Sequence, residues 1–421
     1  MKTHAPPAVK IKVNMMVKKF GGTSVGTTQR IEAVAERVLK DSKDGGYHPV
    51  LVASAMAGDT NRLVQLAHDI DPYYRGPAYD MLLASGEQAA ISLLAVALEK
   101  RGAKALPLLA HQIGIYTDSV YSKARITGIN TEKLKEVIAE GYIPVVAGFQ
   151  GVNELAQITT LGRGGSDLTA VALAAALNAK VCEIYTDVPA VFSADPRLVP
   201  KARELHRINF EEMMEMASLG SKVLHLRSVE LAYKFGVEIH LRSTFETREG
   251  TWIVPEEESM EQPVVSAVTH EGSTTVFKLF PVPMGSAFLS DLFSALAEKN
   301  ILVDIITQSQ SEGGQRLAFS VNQEDVHATE ALLKRFLNTQ VKVEAMPSMA
   351  KISVVGVGMK NHPGVAARFF AVLKRLEIPV HLVTTSEIKI SAVIESQHLQ
   401  PAAQGLHTAF DLDRTEDHGI S

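Results

Sequence analysis

One cysteine, Cys182, stands in 421 residues, so no intramolecular disulfide framework exists and a reducing compartment fits. Long apolar runs are missing as well. A membrane helix needs roughly 20 apolar residues, and the longest runs, such as Ala89–Leu98 and Val171–Leu177, fall well short of that. The opening stretch MKTHAPPAVKIKVN has no apolar core of the secretory kind and reads as a disordered extension over 1–14. A cytoplasmic protein with no membrane partner is expected. Basic residues are in no excess: the net charge is −5 and the lysines and arginines are dispersed, which excludes the electrostatic footprint of a nucleic-acid binder. The 14 histidines show no His-Glu-x-x-His spacing, so no metal site built from protein ligands is assigned. VKKFGGTSVG (Val17–Gly26) invites a phosphate, yet it lacks the Gly-x4-Gly-Lys-Ser/Thr spacing of a Walker loop.

What is present is apolar patterning of two kinds. Hydrophobic residues make up 46% of the chain, enough for two or three domains with separate cores. Over 15–250 strand and helix patterns alternate. Met15–Phe20, Pro49–Met56, Ile143–Gly151 and Val181–Val188 read as strands. Ile31, Val34, Ala35, Val38 and Leu39 share one helical face, and an Ala-rich helix follows Ser166 or Asp167 as its cap. Such alternation predicts a mainly parallel α/β sheet with its site at the strand C-termini.

TWIVPEEESMEQPVV shifts composition and reads as a linker over 251–263. Beyond it, Leu296–Ser309 aligns without gaps with Leu373–Ser386. The identities are Leu296/Leu373, Ile301/Ile378, Val303/Val380, Thr307/Thr384 and Ser309/Ser386. Two ferredoxin-like βαββαβ units are expected, over 264–346 and 347–421.

Three loops carry the chemistry. In TTLGRGGSDLTA (Thr159–Ala170), glycines let backbone N–H groups approach an anion at a helix start, and Arg163 can grip a carboxylate with both nitrogens. Asp167 could cap that helix or orient a nearby lysine. In YTDVPAVFSADPR, Thr186 and Asp187 end a strand where α/β enzymes place ligand contacts, Phe192 could cover a nucleotide and Arg197 could reach phosphate. Lys222 follows Gly220, again suited to phosphate. Taken singly, each also fits a plain turn or a solvated lysine; their joint occurrence in one domain is the stronger signal. VGVGMKN (Val355–Asn361) starts like a dinucleotide fingerprint but has Asn361 at its sixth position.

VKKFGGTSVG, SAMAGDTN, SGEQ, VVAGFQGV, TTLGRGGSD, YTDV…DPR and LGSKVLHLRSVE together closely resemble the aspartokinases of the amino acid kinase superfamily, and the repeats resemble that family's paired regulatory ACT domains. The resemblance runs from Val17 to about Leu412. It implies an amino acid kinase domain followed by two ACT domains. The implied reaction is phosphorylation of the L-aspartate β-carboxylate by ATP with Mg2+, the entry to lysine, threonine and methionine synthesis. By motif, Lys19 would neutralise the phosphoryl group and Asp167 would orient Lys19. Arg163, Glu87, Ser54, Thr60, Gly164, Gly165 and Ser166 would form the aspartate pocket. Gly21, Gly22, Ser24, Thr186, Asp187, Phe192, Arg197 and Lys222, with Lys19, would hold ATP. Phe192 stands where the family usually has Tyr, Ala190 where Gly is common, and Leu168 where Thr is common.

The regulatory half departs further from the family pattern. The first repeat has VPMG (Val282–Gly285) in place of Asp-x-Pro-Gly, while the second keeps NHPG (Asn361–Gly364); Pro379-Val380 replaces an Asn-Ile pair. Gln308, Asn361, Gly364 and Val380 remain as effector contacts for lysine or threonine, and threonine alone is expected to inhibit weakly. The resemblance also implies a homo-oligomer joined through ACT domains. Met260 offers an internal start for a small regulatory subunit. The alternative from another class is an amino-acid sensor with a degenerate kinase domain.

Overall fold

The structure, a computed structural model, describes residues 14–219, 223–256, 264–283, 285–299, 301–311, 314–336 and 341–414. Lys222, Met260, Met284, the side chain of Asn361 and nearly all of the expected N-terminal extension lie outside the described residues. The chain forms two compact units. The first holds residues up to 191 with 204–217 and 222–258; the second holds 192–203, 218–221 and 259–421.

In the first unit an eight-stranded sheet is assembled from β1 (Met15–Phe20), β2 (His48–Ala53), β3 (Ala105–Leu108), β4 (Ile143–Ala147), β5 (Val181–Thr186), β6 (Arg207–Asn209), β7 (Glu238–Ser243) and β8 (Thr251–Val254). Its order is β6-β8-β7-β5-β1-β2-β4-β3, and only β7 and β8 run antiparallel. The expected linker is therefore corrected at its start. Thr251–Val254 is a sheet strand, because Thr-Trp-Ile-Val is β-branched and aromatic and Ile253 is fully buried.

The predicted strands also end sooner than expected. β2 stops at Ala53 and β4 at Ala147; after β4 the chain turns at Gly148 and Phe149 (φ 68°), and Gln150–Val152 forms a strand of a separate four-stranded sheet. Helices α1 (Thr28–Gly45), α2 (Asp59–Ile70), α3 (Pro77–Glu99), α4 (Gly165–Ala176) and α5 (Leu226–Phe235) cover the sheet. By length and composition α3 could cross a membrane, but half its residues are buried in the unit, among them Asp80 and Glu87. Ile31, Val34 and Val38 of α1 and Ile91, Leu94 and Leu98 of α3 close one core over the sheet.

The second unit is one antiparallel six-stranded sheet. β9 (Ala267–Val282), β10 (Val303–Ser311), β11 (Gly314–Asn322), β12 (Lys342–Val355), β13 (Leu382–Ser386) and β14 (Lys389–Glu395) lie in the order β10-β11-β9-β12-β14-β13. Helices α6 (Ser286–Glu298), α7 (Val326–Leu333), α8 (Val365–Arg375) and α9 (Leu399–Ala409) complete two modules. The repeat is visible in the packing: Leu296 and Leu373, and Ile301 and Ile378, are buried at equivalent places in the two cores.

The modules are not consecutive in the chain. The first half of β9 pairs with the second half of β12 (Ala267 opposite Val355), while Thr274–Phe280 pairs with the first half of β12 and with β11. The second module thus takes its fourth strand from residues ahead of the first. A repeat search finds the duplicated helix and strand and misses this exchange, because the borrowed strand has no counterpart in the aligned segments.

Candidate active site

Strands β5, β1, β2 and β4 are adjacent and parallel, so their C-terminal ends share one edge of the sheet. Phe20 ends β1 and stacks on Tyr185 of β5 at 4.8 Å between ring centres. The chain then turns tightly: Gly21 N–H donates to Tyr185 O (3.1 Å), and Ser24 N–H donates to Gly21 O (2.9 Å). A Cβ on Gly22 would lie 2.9 Å from Ala55 O, so only glycine lets this loop touch the turn after β2. Ser54 N–H donates to Phe20 O (3.1 Å) and Ala57 N–H to Gly22 O (3.1 Å), which locks the two loops together.

Lys19 projects into this edge and its Nζ lies 2.6 Å from Asp167 Oδ1 in the first turn of α4. Neither Ser166 nor Asp167 caps that helix, which corrects the expectation. The cap is Gly164 at φ 70°, where a side chain would also strike His225. Asp167 is left to the lysine. Ser166 lies against Gly148 after β4, where an added Cβ would come within 2.6 Å of its Oγ.

From α3, Glu87 reaches the same region. It is 3% exposed, and its Oε1 accepts the Ala55 N–H at 3.0 Å. Its Oε2 has no partner among the described residues, and burial raises its pKa to about 7. A buried carboxylate with one oxygen unsatisfied is a seat for a cation.

The neighbouring Lys18 points to the opposite face, as strand alternation requires. Its ammonium, 1% exposed, lies 2.8 Å from Glu183 and 3.0 Å from Asp41. Burial opposes both charges, but each ion holds the other. Glu183 and the Tyr185 and Tyr47 hydroxyls raise the lysine pKa, while His240, Lys18 and Arg242 hold the Glu183 carboxyl far below the usual range. Replacing Glu183 with Gln is expected to cost about 3 kcal/mol by stranding a buried ammonium. Urea denaturation reads this; an unchanged midpoint would show that Asp41 alone suffices for Lys18.

The remaining expected residues divide between the two units. Ser54 and Thr60 are half-buried, Thr60 in the first turn of α2, and Arg163 is exposed on the glycine-rich loop. Ser24 is buried and its Oγ lies 2.6 Å from Thr244 Oγ1. Thr186 and exposed Asp187 end β5, where Thr186 Oγ1 donates to Asp187 (3.2 Å). Ala190 does not occupy the left-handed region, so replacing Gly there costs no strain, and Leu168 packs with Ala124 and Leu161.

Phe192 and Arg197 belong to the second unit, where Arg197 pairs with Asp195 at 2.7 Å. In the same unit Gln308 donates to Gln315 (2.7 Å) and Val380 is exposed. Gly364, at φ 103°, lines a cavity of about 510 Å³ with Arg203, Arg368 and Arg414.

Two supporting residues escaped sequence reasoning. Asp80 is buried and accepts the Ser122 and Thr160 N–H groups, and Arg227 donates to Leu161 O (2.7 Å) and Ala124 O (2.9 Å), holding the glycine-rich loop. Both act on backbone carbonyls and amides, which leaves no motif to find.

Residues 14–243 match the amino acid kinase family and residues 352–410 match the ACT domain. The chain is 47% identical to the aspartokinase of Bacillus sp. (strain MGA3), over 95% of this chain and 98% of that one. It is 45% identical to aspartokinase 2 of Bacillus subtilis (strain 168), over 96% and 99%. It also resembles the crystal structure of E. coli aspartokinase III in complex with aspartate and ADP (R-state), with a TM-score of 0.77 at 26% identity, covering 94% of this chain and 99% of that one.

Proposed function

The chain belongs to the amino acid kinase family and, within it, to the aspartokinases, and we propose that it transfers the γ-phosphoryl group of ATP to the β-carboxylate of L-aspartate, giving 4-phospho-L-aspartate and ADP. The observation that carries the reading is the Lys19–Asp167 pair, 2.6 Å apart at the end of β1, beside the unpartnered Oε2 of Glu87. An aspartate β-carboxyl ionises near a pKa of about 3.9, so at neutral pH the nucleophile needs no general base. The difficulty is bringing an anion onto a polyphosphate, which positioning and positive charge overcome.

Lys19 supplies that charge at the transferred group, and Asp167 fixes its direction. Glu87 takes the substrate ammonium and Arg163 its α-carboxylate. Ser54, Thr60 and the Gly164–Ser166 backbone close the pocket. Gly21, Gly22, Ser24, Thr186 and Asp187, which lie together in the first unit, contact the nucleotide.

Among the described residues no three side chains gather as metal ligands. Mg2+ would be carried on the nucleotide's own phosphates. When bound, the ion would neutralise phosphate charge. The chain's place is the first step towards lysine, threonine and methionine.

The E. coli aspartokinase III structure in complex with lysine and aspartate (T-state), TM-score 0.74 at 27% identity, supports an amino-acid effector. Val282 is buried in its module core and offers no polar contact, which supports weak inhibition by threonine alone. Exposed Ile306 and Val383 on the sheet's edge strands support pairing with a second copy.

In a coupled assay, ADP release is expected to require L-aspartate and not to proceed with L-glutamate. Equal turnover of glutamate, N-acetylglutamate or carbamate would sink the assignment.

A further inference from the structure

Only Gly162, Arg163 and Gly164 join Leu161 to the first residue of α4, so the backbone at Leu161 sets where Arg163 stands. Residues 122–124 run beside this stretch within the first unit. Ala124 N–H donates to Thr160 O (2.9 Å), and Leu161 N–H donates to Phe149 O (2.9 Å). Gly162, at φ 80°, lies so close to its neighbour that a Cβ there would come within 3.0 Å of Ser122 O.

Two side chains brace the paired segments, and each grips both. From α3, the fully buried Asp80 accepts the Ser122 N–H (2.9 Å), the Ser122 hydroxyl (3.2 Å) and the Thr160 N–H (2.6 Å). Ser122 stands at φ 67°, a left-handed conformation unfavourable for serine, and the carboxylate holds it there. From α5, Arg227 donates to Leu161 O (2.7 Å) and to Ala124 O (2.9 Å). A guanidinium offers these donors in a fixed fork, which an ammonium cannot match. Asp80 also lies seven residues before Glu87 on the same buried face of α3. One helix thus carries the seat for the substrate ammonium and half of the brace behind Arg163.

We propose that Asp80 and Arg227 are positioning residues that set the affinity for L-aspartate through Arg163. The inference rests on the reading of Arg163 as the contact for the substrate α-carboxylate. Neither Asp80 nor Arg227 touches substrate. What they fix is the backbone from which Arg163 projects. A loosened brace lets that guanidinium drift from the carboxylate, while Lys19 and the loop after β1 keep their places.

Steady-state kinetics of the full chain test this, each variant being checked for fold by circular dichroism and melting. R227M removes both donors at similar length. It is expected to raise KM for L-aspartate about tenfold, the scale of one hydrogen bond to a buried group, with kcat and KM for ATP within about threefold. R227K keeps one donor, and D80N keeps the carboxylate's shape while giving up an acceptor; both should show a smaller rise. R163A tests the underlying reading and should raise KM for L-aspartate about 10²-fold. In the R163A background R227M should add less than twofold, because the contact through which it acts is gone. If R227M does not fold, R227K takes its place in both backgrounds.

If R163A leaves KM for L-aspartate unchanged, the α-carboxylate reading fails and the inference falls with it. If R163A raises that KM while the Arg227 and Asp80 variants do not, the brace is wrong and the α-carboxylate reading stands. The same rise from the Arg227 variant with and without Arg163, or equal changes in both KM values, would also overturn the inference.

Discussion

Lys19→Ala is expected to lower kcat by about 10³-fold, the scale seen when one cation or donor is removed from a phosphoryl- or acyl-transfer site. KM for L-aspartate should change little, because the aspartate contacts proposed above are Glu87, Arg163 and the α4 loop. The reasoning is electrostatic. Charge spreads over the transferred phosphoryl oxygens as an anion attacks, and an ammonium fixed in a half-dry site acts without reorganising. Lys19 meets that requirement through its 2.6 Å contact with Asp167.

Asp167→Asn, which leaves the ammonium in place but frees it, should fall between K19A and the parent in kcat. Lys18 sits one residue away, yet it faces the buried Glu183 and Asp41. Lys18→Met should therefore lower stability, with kcat per folded molecule largely kept. Initial rates under saturating ATP and aspartate, with active protein counted by melting, separate the three. ADP release by K19A equal to the parent's would favour the sensor with a degenerate kinase domain.

Much of this arrangement was legible in the chain because local chemistry demanded it. A strand that alternates Val17-Lys18-Lys19-Phe20 must place its two lysines on opposite faces, and it does. Glycines at 22 and 164 are required by close backbone approach or positive φ, constraints a sequence displays directly.

What was not legible depends on pairing between distant segments. β9 spans both modules because two half-strands with separate partners are fused, and alternation within it gives no sign of the change of partner. Residues 192–203 look like a kinase-domain loop in sequence order. Their membership of the second unit comes from Ala194, Val199 and Ser193, small residues that carry no signal until α9 is beside them. The helix cap departs from the expected pattern for a local reason: Ser and Asp are the usual caps, but the left-handed Gly164 takes the position and leaves Asp167 for Lys19.

Glu87 gives the other large effect, and it depends on pH. In the free protein burial raises its pKa to about 7, opposed by the Ala55 N–H and assisted by the Asp59 charge. A substrate ammonium binds the carboxylate and not the acid, so below that pH each binding event must first remove a proton. KM for L-aspartate is therefore expected to be flat above about pH 8 and to rise towards tenfold per unit as pH falls below 7. kcat should stay nearly constant, since the bound ammonium keeps Glu87 ionised in the complex.

Glu87→Gln removes both the charge and the titration. Its amide oxygen can still accept the Ala55 N–H, so the fold is retained, and at pH 8 the variant should melt no lower than the parent because a buried carboxylate is gone. KM for L-aspartate should rise about 10²-fold, the cost of leaving a desolvated ammonium without its counter-ion, and should no longer vary between pH 6 and 8. Steady-state kinetics across that range, at saturating ATP, decide the matter. A parent profile that is flat through pH 7, or an E87Q whose defect lies in KM for ATP, would remove Glu87 from the aspartate pocket and leave its unpartnered Oε2 without a ligand.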